Sequence, residues 1–245
     1  MNTADPFYLS LIIPAFNEER RISASLDRIL NFLGSQSYRS EILIVDDGSK
    51  DRTVNLIKEC YRCHDIIRIY QQPRNRGKGD AVKQGMLLAS GKYLFFSDAD
   101  LSVPIEILPT FLKQLEDETD AAIGTRQKAG AQIVAHQPFY RELMGKVYTS
   151  LANWILGLRV SDFTCGFKGF RREVAKDLFS RQRLKNWSFD AEILYLARLK
   201  GYRVIEIPVA WRNDPATKVR LWRDVGNSFL ELLQIRFNHY RGGYR

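Results

Sequence analysis

The chain has 245 residues, 45% hydrophobic and 12% aromatic, with 37 Lys and Arg against 28 Asp and Glu for a formal net charge of +9. That length fits one large α/β domain or two small ones, and that composition fills a core, which excludes a disordered tail and a coiled coil. The positive balance points to a polyanionic partner (nucleic acid, an anionic membrane surface or a phosphorylated substrate), and it rises late: residues 198–245 hold ten Lys or Arg against four Asp or Glu.

The opening MNTADPFYLS is too short and polar for a signal peptide, and no apolar stretch approaches the length that spans a bilayer. A cytosolic protein with peripheral membrane contact is therefore expected. Three cysteines, Cys60, Cys63 and Cys165, without a signal argue against a disulfide framework. CYRCH at 60–64 matches the attachment string for c-type haem, but it continues the helical spacing of Val54, Ile57 and Cys60. No second Cys/His pair completes a zinc site.

In chain order, YLSLIIPAF at 8–16 reads as a strand, and a helix is predicted from Glu18 to Leu33 on the spacing of Ile22, Leu26, Ile29 and Leu30. SEILIVDDGSKDRT gives a buried strand at 41–45, a turn, and a helix capped by Asp51 or Thr53. IIRIYQQ at 66–72 is a short strand, NRGKGDAVKQGMLLAS a glycine-rich loop entering a helix, and KYLFFSDAD the next strand. Continuous apolar strands alternating with helices predict a parallel sheet covered on both faces. Such sheets bind ligands beyond the carboxyl ends of their strands, where Asn17 and Glu18, Asp46 and Asp47, and Asp98 and Asp100 all fall.

Later, a helix is predicted over 105–118, a core strand over 120–126, an amphipathic helix over 138–158, a strand or turn and helix through SDFTCGFKGFRREVAKDLF, a helix after WSFDAE, a strand at RVIEIPVAWR, and a helix over 219–241. Most apolar residues of the two long helices are expected in the core. Trp222, Arg223, Arg236, Tyr240 and Arg241 are candidates for membrane contact.

Asp98 and Asp100 are hard ligands suited to Mg²⁺ or Mn²⁺ together with substrate phosphates. Alone, D-A-D also fits a helix cap with a turn aspartate; two other acidic strand ends beside it favour the metal. VDDGS at 45–49 fits ribose or base contact, or an ordinary βα turn. NRGKGDA, with Lys78, is a good anion site or a flexible basic loop, and it lacks the spacing of a P-loop.

LIIPAFNEE, VDDGSKDRT, NRGKGDAVKQGM, SDADLS, DFTCGFKGF and WSFDAEILYLA resemble, in that order, the inverting glycosyltransferases of family 2. The likeness covers nearly the whole chain and is strongest to dolichyl-phosphate β-glucosyltransferases among the polyprenyl-phosphate glycosyltransferases. It implies a GT-A fold with a Rossmann-like, mostly parallel sheet, helices on both faces, and a single domain over 1–245. Residues 1–126 would form the nucleotide-sugar half and 127–245 the acceptor half with membrane-facing helices. It implies a UDP-sugar donor, UDP-glucose above all, and a polyprenyl or dolichyl phosphate acceptor at the cytosolic face of a membrane, with no nucleic-acid partner.

By motif, Pro14, Phe16, Asn17, Glu18, Asp46, Asp47, Lys78 and Asp98 would bind the donor, and Asp98 and Asp100 the metal. Arg126, Arg141 and Lys168 would receive the acceptor phosphate. Asp162, Asp190 and Glu192 would lie near the sugar, Asp190 and Glu192 orienting it or a cation and Asp162 being the base if one acts. Ser102 stands where the mannose-synthase-like pattern has Gln, so water is expected in place of a third protein ligand to the metal, and Gly145 stands where that pattern has a serine four residues after the second arginine. Alternatives are transfer to a saccharide hydroxyl, a GDP-mannose-dependent mannosyltransferase, a nucleotidyltransferase, and a non-catalytic anion-binding module.

Overall fold

The computed structural model describes residues 7–135, 137–213 and 221–244, the last segment by backbone alone for 221–225. The side chains of Trp222 and Arg223 thus lie outside the described residues.

Seven strands make one sheet: β1 (Phe7–Ala15), β2 (Ser40–Asp46), β3 (Ile67–Gln71), β4 (Gly91–Ser97), β5 (Ala121–Thr125), β7 (Phe167–Arg171) and β8 (Val204–Pro208). Their order is β3-β2-β1-β4-β7-β5-β8, and β7 alone runs antiparallel to its neighbours. A separate parallel pair joins β6 (Gln132–Ala135) to β9 (Ala210–Arg212). The helices are α1 (Ile22–Gly34), α2 (Thr53–Cys60), α3 (Lys78–Leu88), α4 (Leu108–Glu116), α5 (Phe139–Leu156), α6 (Arg172–Arg181), α7 (Phe189–Lys200) and α8 (Leu221–Tyr240).

Strand alternation divides the core in two. Leu11 and Ile13 of β1 face Leu26 of α1, Ile57 of α2 and Phe111 of α4. Ile12, between them, faces Val82 and Met86 of α3, Phe179 of α6 and Phe189 of α7. Both faces are covered, so the central strands β1, β2 and β4 are mostly apolar, as a parallel sheet requires. Pro14 fits this central strand because the β1–β4 pairing ends at Ile12 and Phe96, leaving its missing N–H without a ladder to break.

Several expectations change. The helix predicted from Glu18 begins at Ile22, because Asn17 adopts a left-handed φ of 54° and Glu18 turns the chain, accepting Arg21 N–H at 3.0 Å. The single late strand splits, β8 joining the large sheet and β9 the small one. The expectation that the apolar residues of α5 pack in the core is overturned for most of them. Only Ala152 and Leu156 are buried, while Phe139 is 78% and Trp154 82% exposed, with Tyr140, Leu143 and Val147 also exposed. Leu230, Leu233, Phe237 and Tyr240 are exposed on α8. No helix among the described residues is long and apolar enough to cross a membrane.

Candidate functional site

The carboxyl ends of β1, β2 and β4 lie side by side, and the loops that leave them are locked together. Asn17 N–H donates to Ser49 Oγ at 2.8 Å while its Oδ1 accepts Lys50 N–H at 2.8 Å. Glu18 N–H donates to Thr53 Oγ1 at 2.7 Å, and its buried carboxylate pairs with Arg21. Phe16 is half-buried in the same loop, just beyond Pro14. Asp46 is buried at the end of β2 and accepts Ser49 N–H at 3.2 Å. Asp47 accepts the N–H groups of Arg76 and Gly77 at 2.7 and 2.9 Å, so both its oxygens hold the glycine-rich loop. Burial pushes its carboxyl up against those two bonds.

The D-A-D aspartates stand just past the end of β4, in a turn, so strand alternation is not what aligns them. The turn is fixed by Leu101 in a left-handed φ of 48°, by Ser102 N–H on Asp100 Oδ1 at 2.9 Å, and by Ser25 Oγ on Ala99 O at 2.6 Å. Asp98 and Asp100 keep 32% and 18% of their side chains exposed. Burial, and after it the neighbouring charge of Asp98, pushes the Asp100 carboxyl up. Lys78 Nζ lies 2.5 Å from Asp98 Oδ1. Burial disfavours its charge, but Asp98, Asp190 and Asp100 outweigh that and hold the ammonium above its ordinary range.

No third His, Cys, Asp or Glu joins the two aspartates in a metal-holding cluster among the described residues. Two accessible carboxylates suit a hard divalent ion that completes its shell with phosphate oxygens and water. The donor set therefore fits Mg²⁺ or Mn²⁺.

The glycine-rich loop is pressed against residues 185–188. Gly77 has φ +104°, and a Cβ there would come within 2.4 Å of Lys185 O. Asp80 N–H donates to that same carbonyl at 3.1 Å. Segment 185–188 is held in turn from α8, where Glu231 accepts Asn186 Nδ2 at 3.0 Å and Ser188 N–H at 3.2 Å. Trp187 stands with its ring centre 5.5 Å from Lys78 Nζ. Arg21, Trp187 and Glu231 were invisible as site residues in the sequence, since each matters through a partner far along the chain.

A cavity of about 330 Å³ opens beside the acidic cleft, lined by Arg126, Lys146, Thr149, Asp162, Thr164 and Trp211 among others. Arg126 is gripped by Asp162, with Nε to Oδ2 at 2.7 Å and Nη2 to Oδ1 at 2.9 Å, and its guanidinium stacks 5.1 Å from the Trp211 ring centre. Burial would raise the Asp162 carboxyl, but Arg126 outweighs burial and holds it below the usual carboxylate range. Asp98 is close enough for its charge to be felt at Arg126, so cleft and cavity adjoin. Arg141, in the first turn of α5, is half-buried and is not among the lining residues.

The remaining predicted residues lie underneath. Lys168 is 1% exposed, and its ammonium is taken by Phe163 O at 2.9 Å, Cys165 O at 2.7 Å and Asp190 Oδ1 at 2.5 Å. It is a buried brace with no side open to an acceptor. Asp190 and Glu192 are not a pair, because residues two apart on a helix face opposite sides. Glu192 points away from the cleft and accepts Leu184 N–H at 2.8 Å, Arg183 N–H at 3.1 Å and the Tyr244 hydroxyl at 2.6 Å.

Residues 10–179 match the family model for glycosyl transferase family 2. The chain is 34% identical to dolichyl-phosphate beta-glucosyltransferases of Trichomonas vaginalis and Drosophila melanogaster, across 97% of its length and 76% and 77% of theirs. It is 31% identical to the human enzyme of that name over 97% of this chain and 77% of that one. In fold it is similar to glucosyl-3-phosphoglycerate synthase of Mycobacterium tuberculosis, solved with Mn²⁺, UDP and glucosyl-3-phosphoglycerate, with TM-score 0.69, 18% identity and coverage of 94% of this chain and 80% of that one. A mannosyltransferase of Pyrobaculum calidifontis, solved with GDP-mannose and Mn²⁺, gives TM-score 0.60 at 20% identity over 96% of this chain and 64% of the other. With its mostly parallel sheet of the GT-A kind and its match to relatives and family model alike, the chain belongs to glycosyl transferase family 2 and is a glycosyltransferase.

Proposed function

We propose that the chain transfers a hexose, glucose foremost, from a UDP-sugar to polyprenyl or dolichyl phosphate with inversion at the anomeric carbon, while resting peripherally on the cytosolic face of a membrane. The donor occupies the half formed by residues 1–126 and the acceptor the half formed by 127–245. The names of the relatives support the glucosyl and lipid-phosphate parts.

One observation favours a phosphate acceptor over a hydroxyl. The carboxylates at or under the cavity are engaged in ion pairs: Asp162 with Arg126, Glu142 with Lys146 at 3.1 Å, and Asp190 with Lys168. A sugar hydroxyl needs a free base to take its proton. A phosphate monoester has a second pKa of about 6 and arrives already anionic. What it needs is a fixed cation, and Arg126, aimed by Asp162 and backed by Trp211, supplies one, with Nη1 left by the bonds to Asp162 and Thr164 to meet a phosphate oxygen. Lys146 adds a second positive charge at the same cavity.

In this reading a phosphate oxygen of the acceptor attacks C1 as the bond from C1 to the UDP oxygen breaks, and UDP leaves with the electron pair. Asp98 and Asp100 would hold Mg²⁺ or Mn²⁺, which when bound neutralises the diphosphate and eases its departure. Lys78 adds its charge from the first residue of α3. Asp162 positions Arg126 and takes no proton. The helix that lines the cavity through Glu142, Gly145, Lys146 and Thr149 also carries the exposed apolar residues of α5, so a lipid phosphate would reach the cavity along it from the bilayer.

The test is a transfer assay with UDP- and GDP-sugars, with Mg²⁺ or Mn²⁺, and with either polyprenyl phosphate or free saccharides. UDP-glucose with polyprenyl phosphate is expected to give a glucosylated lipid and UDP, abolished by chelation. Preference for GDP-mannose, or transfer to a saccharide hydroxyl alone, overturns the proposal.

A further inference from the structure

The D-A-D carboxylates already face positive charge from the chain. Lys78 Nζ lies 2.5 Å from Asp98 Oδ1, and Arg21 Nη1 lies 3.8 Å from Asp100 Oδ2. The neighbouring Asp190 is matched separately by Lys168. Arg21 is also bound to Glu18, which leaves Lys78 as the closer and more direct counter-charge to the pair.

Lys78 Nζ meets two partners at once: it pairs with Asp98 and lies over the Trp187 ring, 5.5 Å from its centre. An ammonium on an indole face is attracted by about 0.5–2 kcal/mol, enough to hold a side chain displaced from its ion pair. The backbone beneath it need not move: Gly77 N–H is tied to Asp47, and Gly77 is wedged against Lys185 O.

We infer that Lys78 is a built-in substitute for the divalent ion, holding Asp98 in the nucleotide-free protein and yielding it when ion and nucleotide arrive together. The inference rests on the metal-and-diphosphate reading of the cleft. Its logic is charge balance. A divalent ion and an ammonium repel each other at one carboxylate, so the ion binds weakly while Lys78 stays. A diphosphate supplies negative charge to both, so the ion then enters and Lys78 transfers to the phosphates while the Trp187 ring beside it stays within reach. Metal and nucleotide consequently bind with positive coupling, and each strengthens the other by the same factor.

The experiment is a titration of the full chain with Mn²⁺, reading free Mn²⁺ by electron paramagnetic resonance, with and without UDP. Lys78→Met is expected to bind Mn²⁺ without UDP at least tenfold more tightly than wild type, and to show a smaller gain when UDP is added. Lys78→Arg keeps the charge and is expected to stay within about twofold of wild type. Wild type binding Mn²⁺ alone as tightly as Lys78→Met overturns the inference, while UDP-enhanced Mn²⁺ binding in both leaves the functional proposal standing. Failure of every protein to bind Mn²⁺ even with UDP overturns both. Trp187 adds a second readout: its fluorescence is expected to change on joint addition of Mn²⁺ and UDP in wild type and not in Lys78→Met.

Discussion

A Cβ placed on Gly166 would lie 1.9 Å from Oδ2 of Asp98. The same residue accepts Asp98 N–H through its carbonyl at 3.2 Å. Gly166 therefore sets the position of the carboxylate proposed to hold the metal while making no contact that a ligand would report. Gly166→Ala is expected to swing Asp98 aside and weaken Mn²⁺ binding in the presence of UDP by about 10–100-fold, the usual cost of losing a support behind a ligand. Calorimetric titration checks this, alongside a thermal melt expected to stay near that of wild type; unchanged Mn²⁺ affinity refutes it. Asp98 and Asp100 were legible in the sequence because they end an apolar run, whereas Gly166 was visible only as part of TCGFK. The clash joins the residue after β4 to the residue before β7, and no local pattern encodes it. Lys168 and Glu192, which the resemblance placed at the acceptor phosphate and near the sugar, are held by partners from α7, from the 183–184 backbone and from Tyr244 near the chain end, none of which a local stretch of sequence displays.

At the level of elements, residues 1–126 were readable and residues 127–245 much less so. Strands β1, β2 and β4 are mostly apolar runs followed by turn residues, and their polar ends fall where a parallel sheet places ligands. Strand β7, FKGFR, is short and carries a lysine, and its antiparallel place between β4 and β5 depends on pairing that its own sequence does not display. The small β6–β9 sheet was missed for the same reason. The glycine-rich loop shows what such distant pairing does for function. It has no hydrogen-bonded ladder of its own, and the buried carboxylate of Asp47 takes its place. Asp47→Asn replaces one acceptor oxygen by an amide donor facing an N–H. It is expected to cost about 2 kcal/mol of stability, the scale for stranding a charge-assisted buried bond. It is also expected to raise the KM for the UDP-sugar more than it lowers kcat, because the loop carries Lys78. Denaturant unfolding and steady-state kinetics measure the two effects; a donor KM equal to that of wild type rules out this role for Asp47.

Across the whole molecule, the acidic cleft sits on a chain of net charge +9, and most of the exposed large apolar residues described lie on the two long helices. At 3.6 residues per turn, Phe139, Leu143, Val147 and Trp154 fall within roughly 80° of arc on α5. A stripe of that kind on a helix in the core would be buried; here it faces outward, at the rim of the cavity proposed for a lipid phosphate. On α8, Leu230, Leu233, Phe237 and Tyr240 are exposed likewise, with the Arg241 guanidinium 4.2 Å from the Phe237 ring centre and Arg236 5.2 Å from that of Tyr240. Aromatic and aliphatic groups beside arginine suit an interface of anionic headgroups and acyl chains. The chain is therefore expected to sediment with vesicles containing a third anionic lipid and less with neutral ones. Raising the salt should weaken this binding without abolishing it, because screening acts on the charges and leaves apolar burial intact. Burying a large apolar side chain contributes about 1.5–3 kcal/mol, so removing two should cost about 3 kcal/mol or more, near 100-fold in partitioning. The double variant Phe139→Ser, Trp154→Ser is expected to lose vesicle binding and transfer to a long polyprenyl phosphate presented in bilayers. It should retain transfer to a short, water-soluble prenyl phosphate, since neither residue lines the cavity. Vesicle binding equal to wild type in that variant would remove α5 as the membrane-contacting face, and loss of transfer to both acceptors would assign the stripe to the fold rather than to the bilayer.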